Sequence, residues 1–249
     1  MEISFQGQTV LITGATRGIG AALADSFEAS GATLLLTGTD EAQCRQLTES
    51  AARSGSDRRY LSVDFRLPGS LTAFLEEITR LGRLDVCVNN AGINHIATLA
   101  DIADSDLDAM IAIDFRAPIL VTKAATAIMS RAGYGRVVNI GSVWSTVSKP
   151  KRSTYSAMKA GVHGLTIGSA IELAPHGILV NTVSPGFVMT DLTKQNNTEG
   201  EIAVMAQQVP LGRIAEPNEI ASTVLFLAST SNTYITGQNL LIDGGFTHA

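Results

Sequence analysis

Short apolar runs alternate with longer amphipathic stretches along the whole chain. Seven runs predict strands, and several of them lack an apolar–polar alternation, which is typical of parallel strands covered on both faces. The runs are 9–13, 33–37, 60–63, 84–89, 136–140, 178–183 and 239–242. The helices predicted between them include 19–29, 41–53, 70–81, 153–173 and 217–228. This alternation predicts an α/β protein with a doubly wound parallel sheet, and nothing divides residues 1–249 into more than one domain.

Two stretches fit the alternation poorly. Residues 94–105 follow a predicted strand end, and residues 187–210 are largely polar in their middle. A long irregular segment in a compact domain is often a lid over an active site. We therefore expect 187–210 to be a substrate lid.

Composition narrows the class of protein. Of the 249 residues, 45% are hydrophobic and 16% are charged, which favours a large core over disorder. The net charge of −5 argues against nucleic acid or an anionic membrane as partner. Cys44 and Cys87 show no metal-binding or disulfide pattern and are expected to be free. Neither a secretory leader nor a membrane span is evident, so we expect a cytoplasmic protein.

A glycine-rich turn joins the first predicted strand to the first helix. It contains Gly14, Gly18 and Gly20, in the spacing Gly-x-x-x-Gly-x-Gly. Glycines permit a tight turn and close approach to a pyrophosphate, while the N–H groups that open the helix face the phosphates. The turn therefore predicts a dinucleotide cofactor and a Rossmann-type sheet.

The second strand bears on the choice of cofactor. An acid at its end would bind the ribose 2′-hydroxyl of NAD, but Gly38 lies there, followed by Thr39. Arg17 in the glycine turn can reach a 2′-phosphate. NADP(H) is therefore favoured, while Asp40, slightly further on, leaves NAD(H) possible.

Three residues predict the reaction chemistry. Ser142 follows the strand 136–140, and Tyr155 and Lys159 are four residues apart, on one face of a predicted helix. A nearby ammonium and a positively charged nicotinamide would lower the tyrosine pKa. Tyr155 could then exchange a proton with a substrate hydroxyl or carbonyl oxygen, which Ser142 would hold, and Lys159 could also bind the nicotinamide ribose.

Several signatures stand in order along nearly the whole chain, and any one alone would be weak. They are Thr13-Gly14…Gly18-Ile19-Gly20, Asp64, Asn89-Asn90-Ala91-Gly92, Asn139-Ile140-Gly141-Ser142, Tyr155-x-x-x-Lys159, Pro185-Gly186 with Thr190, and Asp243-Gly244-Gly245. Together they make the sequence similar to the classical short-chain dehydrogenases/reductases. The resemblance implies an NAD(P)-dependent enzyme that interconverts a secondary alcohol and a ketone by hydride transfer.

The resemblance also implies roles for individual residues. Asp64 would contact the adenine with Phe65 close by, and Asn90, Ala91 and Gly92 would line the adenosine ribose. Val188 would meet the nicotinamide carboxamide, and Thr190 the carboxamide or the phosphates. The full expected cofactor set is Gly14, Thr16, Arg17, Gly18, Ile19, Gly20, Gly38, Thr39, Asp64, Phe65, Asn90, Ala91, Gly92, Ile140, Tyr155, Lys159, Pro185, Gly186, Val188 and Thr190.

One position departs from the family pattern. Where the family commonly has a catalytic-site asparagine that holds a water behind the lysine, this sequence has Asp114. Asp114 could maintain the proton relay with an altered pH dependence, or it could be a structural bond in a kinked helix. A non-catalytic cofactor-binding sensor or scaffold is the alternative of another class, and Asp114 is its only support.

The substrate is less defined. The sequence is most similar to bacterial 3-oxoacyl-(acyl carrier protein) reductases, but the helix after Lys159 carries no Arg or Lys to dock an acidic carrier. Arg131, Lys149, Lys151 and Arg152 remain docking candidates. Trp144, His95 and Phe187 are expected beside Ser142 at the substrate, where an aromatic wall would suit a sugar ring or an apolar ketone equally. No metal is expected, and the family usually forms homotetramers through the segments 217–228 and 237–245.

Overall fold

The computed structural model describes residues 3–249, apart from the side chains of Leu192 and Asn196. The strands are β1 (Thr9–Ile12), β2 (Thr33–Gly38), β3 (Arg58–Ser62), β4 (Val86–Asn89), β5 (Gly135–Ile140), β6 (Ile178–Pro185) and β7 (Asn239–Ile242). The helices are α1 (Gly18–Ala29), α2 (Glu41–Ser54), α3 (Pro68–Thr79), α4 (Asp104–Met110), α5 (Ala117–Ala132), α6 (Ser153–Leu173), α7 (Asp191–Asn196), α8 (Glu199–Gln207) and α9 (Pro217–Ala228).

All seven strands are parallel and lie in the order β3-β2-β1-β4-β5-β6-β7. From β1 the chain passes to β2 and then β3 on one side of β1, and it then returns to form β4 on the other side of β1. This order confirms the predicted doubly wound sheet. Ligands in such sheets bind at the carboxyl ends of the strands where the order reverses, which here is between β1 and β4.

Each face of the sheet carries its own core. On one face, α1 and α9 pack against alternate residues of the central strands, such as Val10 and Ile12. On the other face, α3, α5 and α6 pack against residues such as Leu11 and Cys87. Because both faces are covered, the strands need no polar side, which explains their continuous apolar runs. Cys44 and Cys87 are both free and buried, as predicted.

One long helical stretch was not among the sequence predictions. It runs through α4, a π-helical segment (Ile111–Arg116) and α5. The π-helical turn widens the helix and shifts its faces, so the sequence does not keep one helical period. Asp114 lies within this turn.

The segment 187–210 is less irregular than its polar sequence predicts. It contains α7, capped by Thr190, and α8, which begins with a capping box between Thr198 and Glu201. In contrast, residues 94–103 form no helix or strand, in agreement with the poor pattern there. In residues 3–249, no helix is long and apolar enough to cross a membrane.

Candidate active site

Ser142, Tyr155 and Lys159 come together at the carboxyl end of β5. Ser142 lies two residues beyond the strand in extended backbone, and its Oγ accepts a hydrogen bond of 3.3 Å from the amide of Trp144. One turn of α6 separates Tyr155 from Lys159, whose Nζ lies 5.5 Å from the tyrosine ring centre. A hydrogen bond with the Ser142 side chain acts to lower the pKa of Tyr155 and so favours the phenolate. The structure thus assembles the predicted proton-transfer set.

Lys159 is held from behind by two oxygen atoms. Its Nζ donates to the carbonyl oxygen of Ile140 at 3.2 Å and lies 3.2 Å from Asp114 Oδ1. Burial disfavours the ammonium, but Tyr155 and Asp114 together raise the pKa of Lys159 above its ordinary value. Lys159 therefore stays charged inside the protein.

Two opposing influences act on the pKa of Tyr155 in the protein alone. Burial raises it above the ordinary value of tyrosine and outweighs the opposing effect of Lys159, while Asp114 raises it further. In the protein alone, then, the neighbouring ammonium does not lower the tyrosine pKa below its usual range. Tyr155 is set up here as a protonated hydroxyl, which is the form that donates a proton to a carbonyl oxygen.

Asp114 lies between the loop after β4 and Lys159. Its Oδ2 accepts a hydrogen bond of 3.1 Å from the amide of Ile93, which ties the π-helical turn to the loop after β4. Its Oδ1 faces Lys159. A Cβ on Gly92 would lie 2.8 Å from Asp114 Oδ1, so only glycine lets the loop pass this close to the carboxylate. Burial raises the pKa of Asp114, against the opposing influence of Lys159.

The glycine turn is braced by the end of β4. Asn90 Nδ2 donates to the carbonyl oxygens of Thr13 and Gly14, at 3.0 and 2.8 Å. Thr13 Oγ1 accepts from the amides of Asn90 and Ala91 in return, each at 3.0 Å. Gly14 has a φ of +65°, and a Cβ there would lie 2.8 Å from Ala91 Cα. The Asn90 amide therefore supports the glycine turn, while its place along the adenosine ribose stays a prediction.

The start of α1 fits a pyrophosphate. Its N-cap residue, Arg17, makes no side-chain capping bond, so the first N–H groups of the helix keep their hydrogen-bonding capacity for an anion. Thr190 lies opposite, since a Cβ on Gly18 would come within 3.4 Å of its Cγ2. The predicted phosphate-binding residues, which also include Thr16, Ile19 and Gly20, thus lie in one turn that α7 faces.

The adenosine end carries no free carboxylate at β2. A Cβ on Gly38 would lie 2.4 Å from Thr16 Cγ2, so an acidic side chain there would force its neighbours to move. Asp40 caps α2 by accepting from the amide of Gln43 at 2.8 Å. Arg17 and Thr39 are exposed beside this point. The geometry suits a 2′-phosphate better than a bare 2′-hydroxyl.

The two residues predicted near the adenine, Asp64 and Phe65, lie in different environments. Asp64 lies after β3, and Arg66 pairs with its carboxylate at 2.7 Å and lowers the pKa of Asp64. Phe65 points into the core and packs edge-on against Phe74, with ring centres 5.9 Å apart. The Phe65 ring is therefore part of the core, and its closeness to the adenine stays a prediction.

Pro185 and Gly186 end β6, and Gly186 N–H donates to Ile242 at 3.0 Å. Val188 is buried, and its carbonyl oxygen accepts from Thr193 Oγ1 at 2.8 Å. Thr190 caps α7 through the same threonine. Pro185 and Gly186 thus lie at the carboxyl end of β6, next to β5, and Thr190 lies against Gly18 of the glycine turn, so a nicotinamide contact stays a prediction for these residues.

Beyond Ser142, the rings of Trp144, Phe187 and Phe246 pack together and form an aromatic wall. Trp144 packs edge-on against Phe187 and Phe246, with ring centres 6.4 and 5.8 Å apart. His95 lies instead on the loop after β4, with its Nδ1 3.5 Å from Asp106 Oδ2. Trp144 and Phe187 thus lie in the same aromatic wall, as predicted, whereas His95 lies on the same side of the site as Asp114.

Comparison with known proteins decides the family. The family model described as enoyl-(acyl carrier protein) reductase matches residues 14–247, which is nearly the whole chain. Solved structures of similar fold include a short-chain type dehydrogenase/reductase from Mycobacterium marinum, with 30% identity and a TM-score of 0.89, covering 99% of this chain and 98% of the other. The chain belongs to the short-chain dehydrogenase/reductase family.

Other relatives of this dehydrogenase/reductase carry specific names. The 3-oxoacyl-[acyl-carrier-protein] reductase of Vibrio cholerae is 37% identical over 244 residues and covers 98% of each chain. The Escherichia coli enzyme of the same name is 36% identical over the same length and coverage. A gluconate 5-dehydrogenase from Burkholderia cenocepacia, solved with NADP and tartrate, is 30% identical with a TM-score of 0.92, covering 100% of this chain and 98% of the other.

Family membership makes the protein an NAD(P)-dependent oxidoreductase that acts on CH–OH or keto groups. This confirms the class of activity expected from the sequence. It also disfavours a sensor or scaffold without turnover, because the family's serine, tyrosine and lysine are all present and assembled.

Sequence reasoning missed two features of this dehydrogenase/reductase site. A buried polar chain links β4, β5 and α6, in which Asn89 donates to Asn139 at 2.7 Å and Asn139 donates to Thr166 at 2.8 Å. Asparagines inside apolar strands were the available signal. Lys149 and Arg152 lie against the aromatic wall, although the sequence suggested them only as carrier-docking candidates. Among the described residues, no group of three His, Cys, Asp or Glu side chains is placed to hold a metal ion.

Proposed function

We propose that the protein is an NADP(H)-dependent reductase of small ketones, and the dehydrogenase of the matching secondary alcohols, with Tyr155 as acid and base. The observation that carries this proposal is the placement of Tyr155 one helical turn before the buried Lys159, whose Nζ lies 5.5 Å from the tyrosine ring centre and 3.2 Å from Asp114. The glycine turn lies at the same edge of the sheet, where hydride chemistry needs a nicotinamide.

The residues divide the proton chemistry between them. The bound cofactor supplies a hydride to the carbonyl carbon or accepts it back. Tyr155 gives its hydroxyl proton to the carbonyl oxygen during reduction, and Ser142 donates a hydrogen bond to the same oxygen. Lys159 stabilises the phenolate that remains, and Asp114 holds Lys159 in place. A proton from solvent restores Tyr155 before the next turnover.

Selection of NADP(H) over NAD(H) follows from three positions. Gly38 offers no carboxylate to repel a 2′-phosphate, and Asp40 is engaged as a helix cap. Arg17 is exposed and free to approach the phosphate. The Burkholderia relative solved with NADP has the same fold.

The segment 187–210 would act as the lid over this site. Among its described side chains, α8 buries none. A groove of about 570 Å³ separates the segment from the body, lined by Met189, Ile202 and Ala206 on the one side and by Gly212, Arg213, Ile214, Glu216 and Glu219 on the other. Few buried contacts are what a segment needs if it is to open and close.

The second candidate function is reduction of a 3-oxoacyl group on an acyl carrier protein. The 37% identity to the Vibrio cholerae enzyme supports it. Of the four docking candidates, however, Lys149, Lys151 and Arg152 lie together on the turn before α6. Arg131 lies near the end of α5, next to the start of β5 and hence at the opposite edge of the sheet from Ser142. A small-molecule substrate therefore fits the described surface better.

We also propose that the protein forms a homotetramer. Ile167 and Ile171 leave 44% and 73% of their surface exposed on α6, which suits a subunit contact. The apolar side of α9, in contrast, packs internally against α1. Light scattering in solution would test the tetramer, and a monomer at micromolar concentration would contradict it.

A panel of ketones and secondary alcohols with each cofactor tests the function. We expect NADPH-linked reduction, followed at the nicotinamide absorbance, with kcat/KM at least tenfold higher than with NADH. Absence of turnover with every compound and both cofactors would overturn the proposal. A 3-oxoacyl thioester should be compared on carrier protein and on a small thiol. A hundredfold preference for the carrier would establish the second candidate instead.

A further inference from the structure

Two cations lie against the aromatic wall beside the reacting residues. Lys149 Nζ lies 5.2 Å from the ring centre of Trp144 and 5.8 Å from that of Phe187. Arg152 Cζ lies 6.0 Å from the ring centre of Trp144. Trp144 in turn contacts Ser142 through its amide. The two cations therefore lie on the aromatic wall that begins two residues beyond Ser142.

A tight turn brings the two cations to one ring. The amide of Arg152 donates to the carbonyl oxygen of Lys149 at 3.2 Å. Between them, Lys151 adopts a φ of +68°, the only non-glycine residue with positive φ in residues 3–249. Such strain in a lysine is unusual and clusters at functional positions. The turn thus fixes Arg152 at the N-terminus of α6, three residues before Tyr155.

Arg152 lacks a partner for its charge. Its Nε and Nη1 are buried, and neither has a hydrogen-bond acceptor in the part of the chain that the structure describes. No described carboxylate lies within 4 Å of Arg152 or Lys149. Burial lowers the pKa of Arg152, against the effect of Tyr155, while burial and Arg152 together lower the pKa of Lys149.

The half-buried Arg152 guanidinium, with the exposed Lys149 beside it, favours an anion as partner. Unpaired buried charge is costly, and an acceptor for the guanidinium removes that cost. The arginine fork binds a carboxylate through two parallel hydrogen bonds. The aromatic faces of Trp144 and Phe187 can cover the carbon skeleton that joins the carboxylate to the reacting carbonyl.

We propose that Arg152, assisted by Lys149, binds the carboxylate of the substrate, so that the enzyme acts on small keto acids and the matching hydroxy acids. This inference rests on the proposed function, because it places the carboxylate in the pocket of Tyr155. Buried donors fit a small anion that enters the pocket. An acidic carrier protein would instead need cations spread over an exposed surface.

Matched pairs of acid and ester test the proposal. The probes are acetoacetate and levulinate, each compared with its methyl ester in NADPH-linked reduction. We expect the wild-type protein to favour the acids by at least tenfold in kcat/KM. Arg152→Gln should lower kcat/KM at least tenfold for the acids and less than threefold for the esters, with KM for NADPH unchanged. Equal losses for acids and esters, or no preference in the wild type, would overturn it.

Lys151→Asn is the control variant. It removes a charge of the same sign from the same turn, and asparagine tolerates a left-handed backbone. Its preference for the acids should equal that of the wild type. Loss of the preference in Lys151→Asn would mean that general surface charge, and not Arg152, selects the acids.

A binding measurement separates this proposal from the proposed function. Trp144 is the only tryptophan of the chain, so its fluorescence reports on the ring beneath the two cations. Levulinate should change this fluorescence in the wild type and in Lys151→Asn, but not in Arg152→Gln, while methyl levulinate should leave it unchanged. If levulinate binds in this way without turnover of any compound, the anion site stands and the proposed function fails. Turnover of the esters with no effect of the carboxylate would overturn the anion site alone.

Discussion

Gly14→Ala tests whether the glycine turn depends on the contact that the structure shows. Gly14 has a φ of +65°, and an added methyl group would lie 2.8 Å from Ala91 Cα. A left-handed alanine costs about 1–2 kcal/mol. Because the obstacle is backbone braced by Asn90, relief of the overlap adds about 1–3 kcal/mol. We therefore expect the free energy of unfolding to fall by about 2–5 kcal/mol.

Gly7→Ala is the matched control. Gly7 has a φ of +71°, but among residues 3–249 no atom outside its chain neighbours lies within 4 Å of a Cβ placed there. The strain alone should lower the free energy of unfolding by about 1–2 kcal/mol. Urea unfolding followed by Trp144 fluorescence measures both variants, at one protein concentration because subunit association changes apparent stability.

The same two variants should differ in cofactor binding. Movement of the turn displaces the amides that open α1, so Gly14→Ala should weaken NADPH binding at least tenfold, measured by nicotinamide fluorescence. Gly7→Ala should bind NADPH as the wild type does. Equal destabilisation by the two substitutions, together with unchanged NADPH affinity in Gly14→Ala, would refute the reasoning.

Three further predictions concern charge. Arg17→Ala should weaken NADPH binding about 10–100-fold, because it removes one charge-assisted hydrogen bond, and should leave NADH binding nearly unchanged. Equal losses in titrations of both cofactors would show that Arg17 does not bind the 2′-phosphate. Asp114 raises the pKa of Tyr155, so Asp114→Asn should lower it. Since alcohol oxidation needs deprotonated Tyr155, the rise of the oxidation rate with pH should move to lower pH, and a rise that stays in place or moves to higher pH would contradict the coupling. Burial raises the pKa of Cys87 to about 12, so a thiol reagent at neutral pH should label it only after unfolding, and rapid labelling of the native protein would argue against its burial.

The sheet was predictable because it is covered on both faces. Continuous apolar runs identify the strands, and the structure moves some boundaries by one or two residues, as at β3 and β4. The helix through Asp114 was harder, since its π-helical turn breaks the helical period. The helices α7 and α8 are short, yet Thr198 with Glu201 matched a capping box that could have predicted α8.

The placement of Tyr155 beside Lys159 was predictable because their spacing along one helix fixes it. Contacts between distant segments were not: Asn90 turns inward to brace Gly14, and Phe65 turns into the core. The fold of the turn at Lys151, which carries Arg152 onto Trp144, depends on a strained backbone that no local pattern indicates. The direction of the Tyr155 pKa likewise depends on burial, which spacing does not show.

Tyr155→Phe tests the central claim most directly, because it removes one hydroxyl group and keeps the ring. The quantity to measure is NADPH oxidation with the best ketone of the panel, together with NADPH affinity in the same preparation. The proposed chemistry predicts that turnover falls at least a thousandfold while NADPH affinity changes less than threefold, in line with the contribution of a positioned acid. Turnover near that of the wild type would contradict the assignment of Tyr155 as the proton donor.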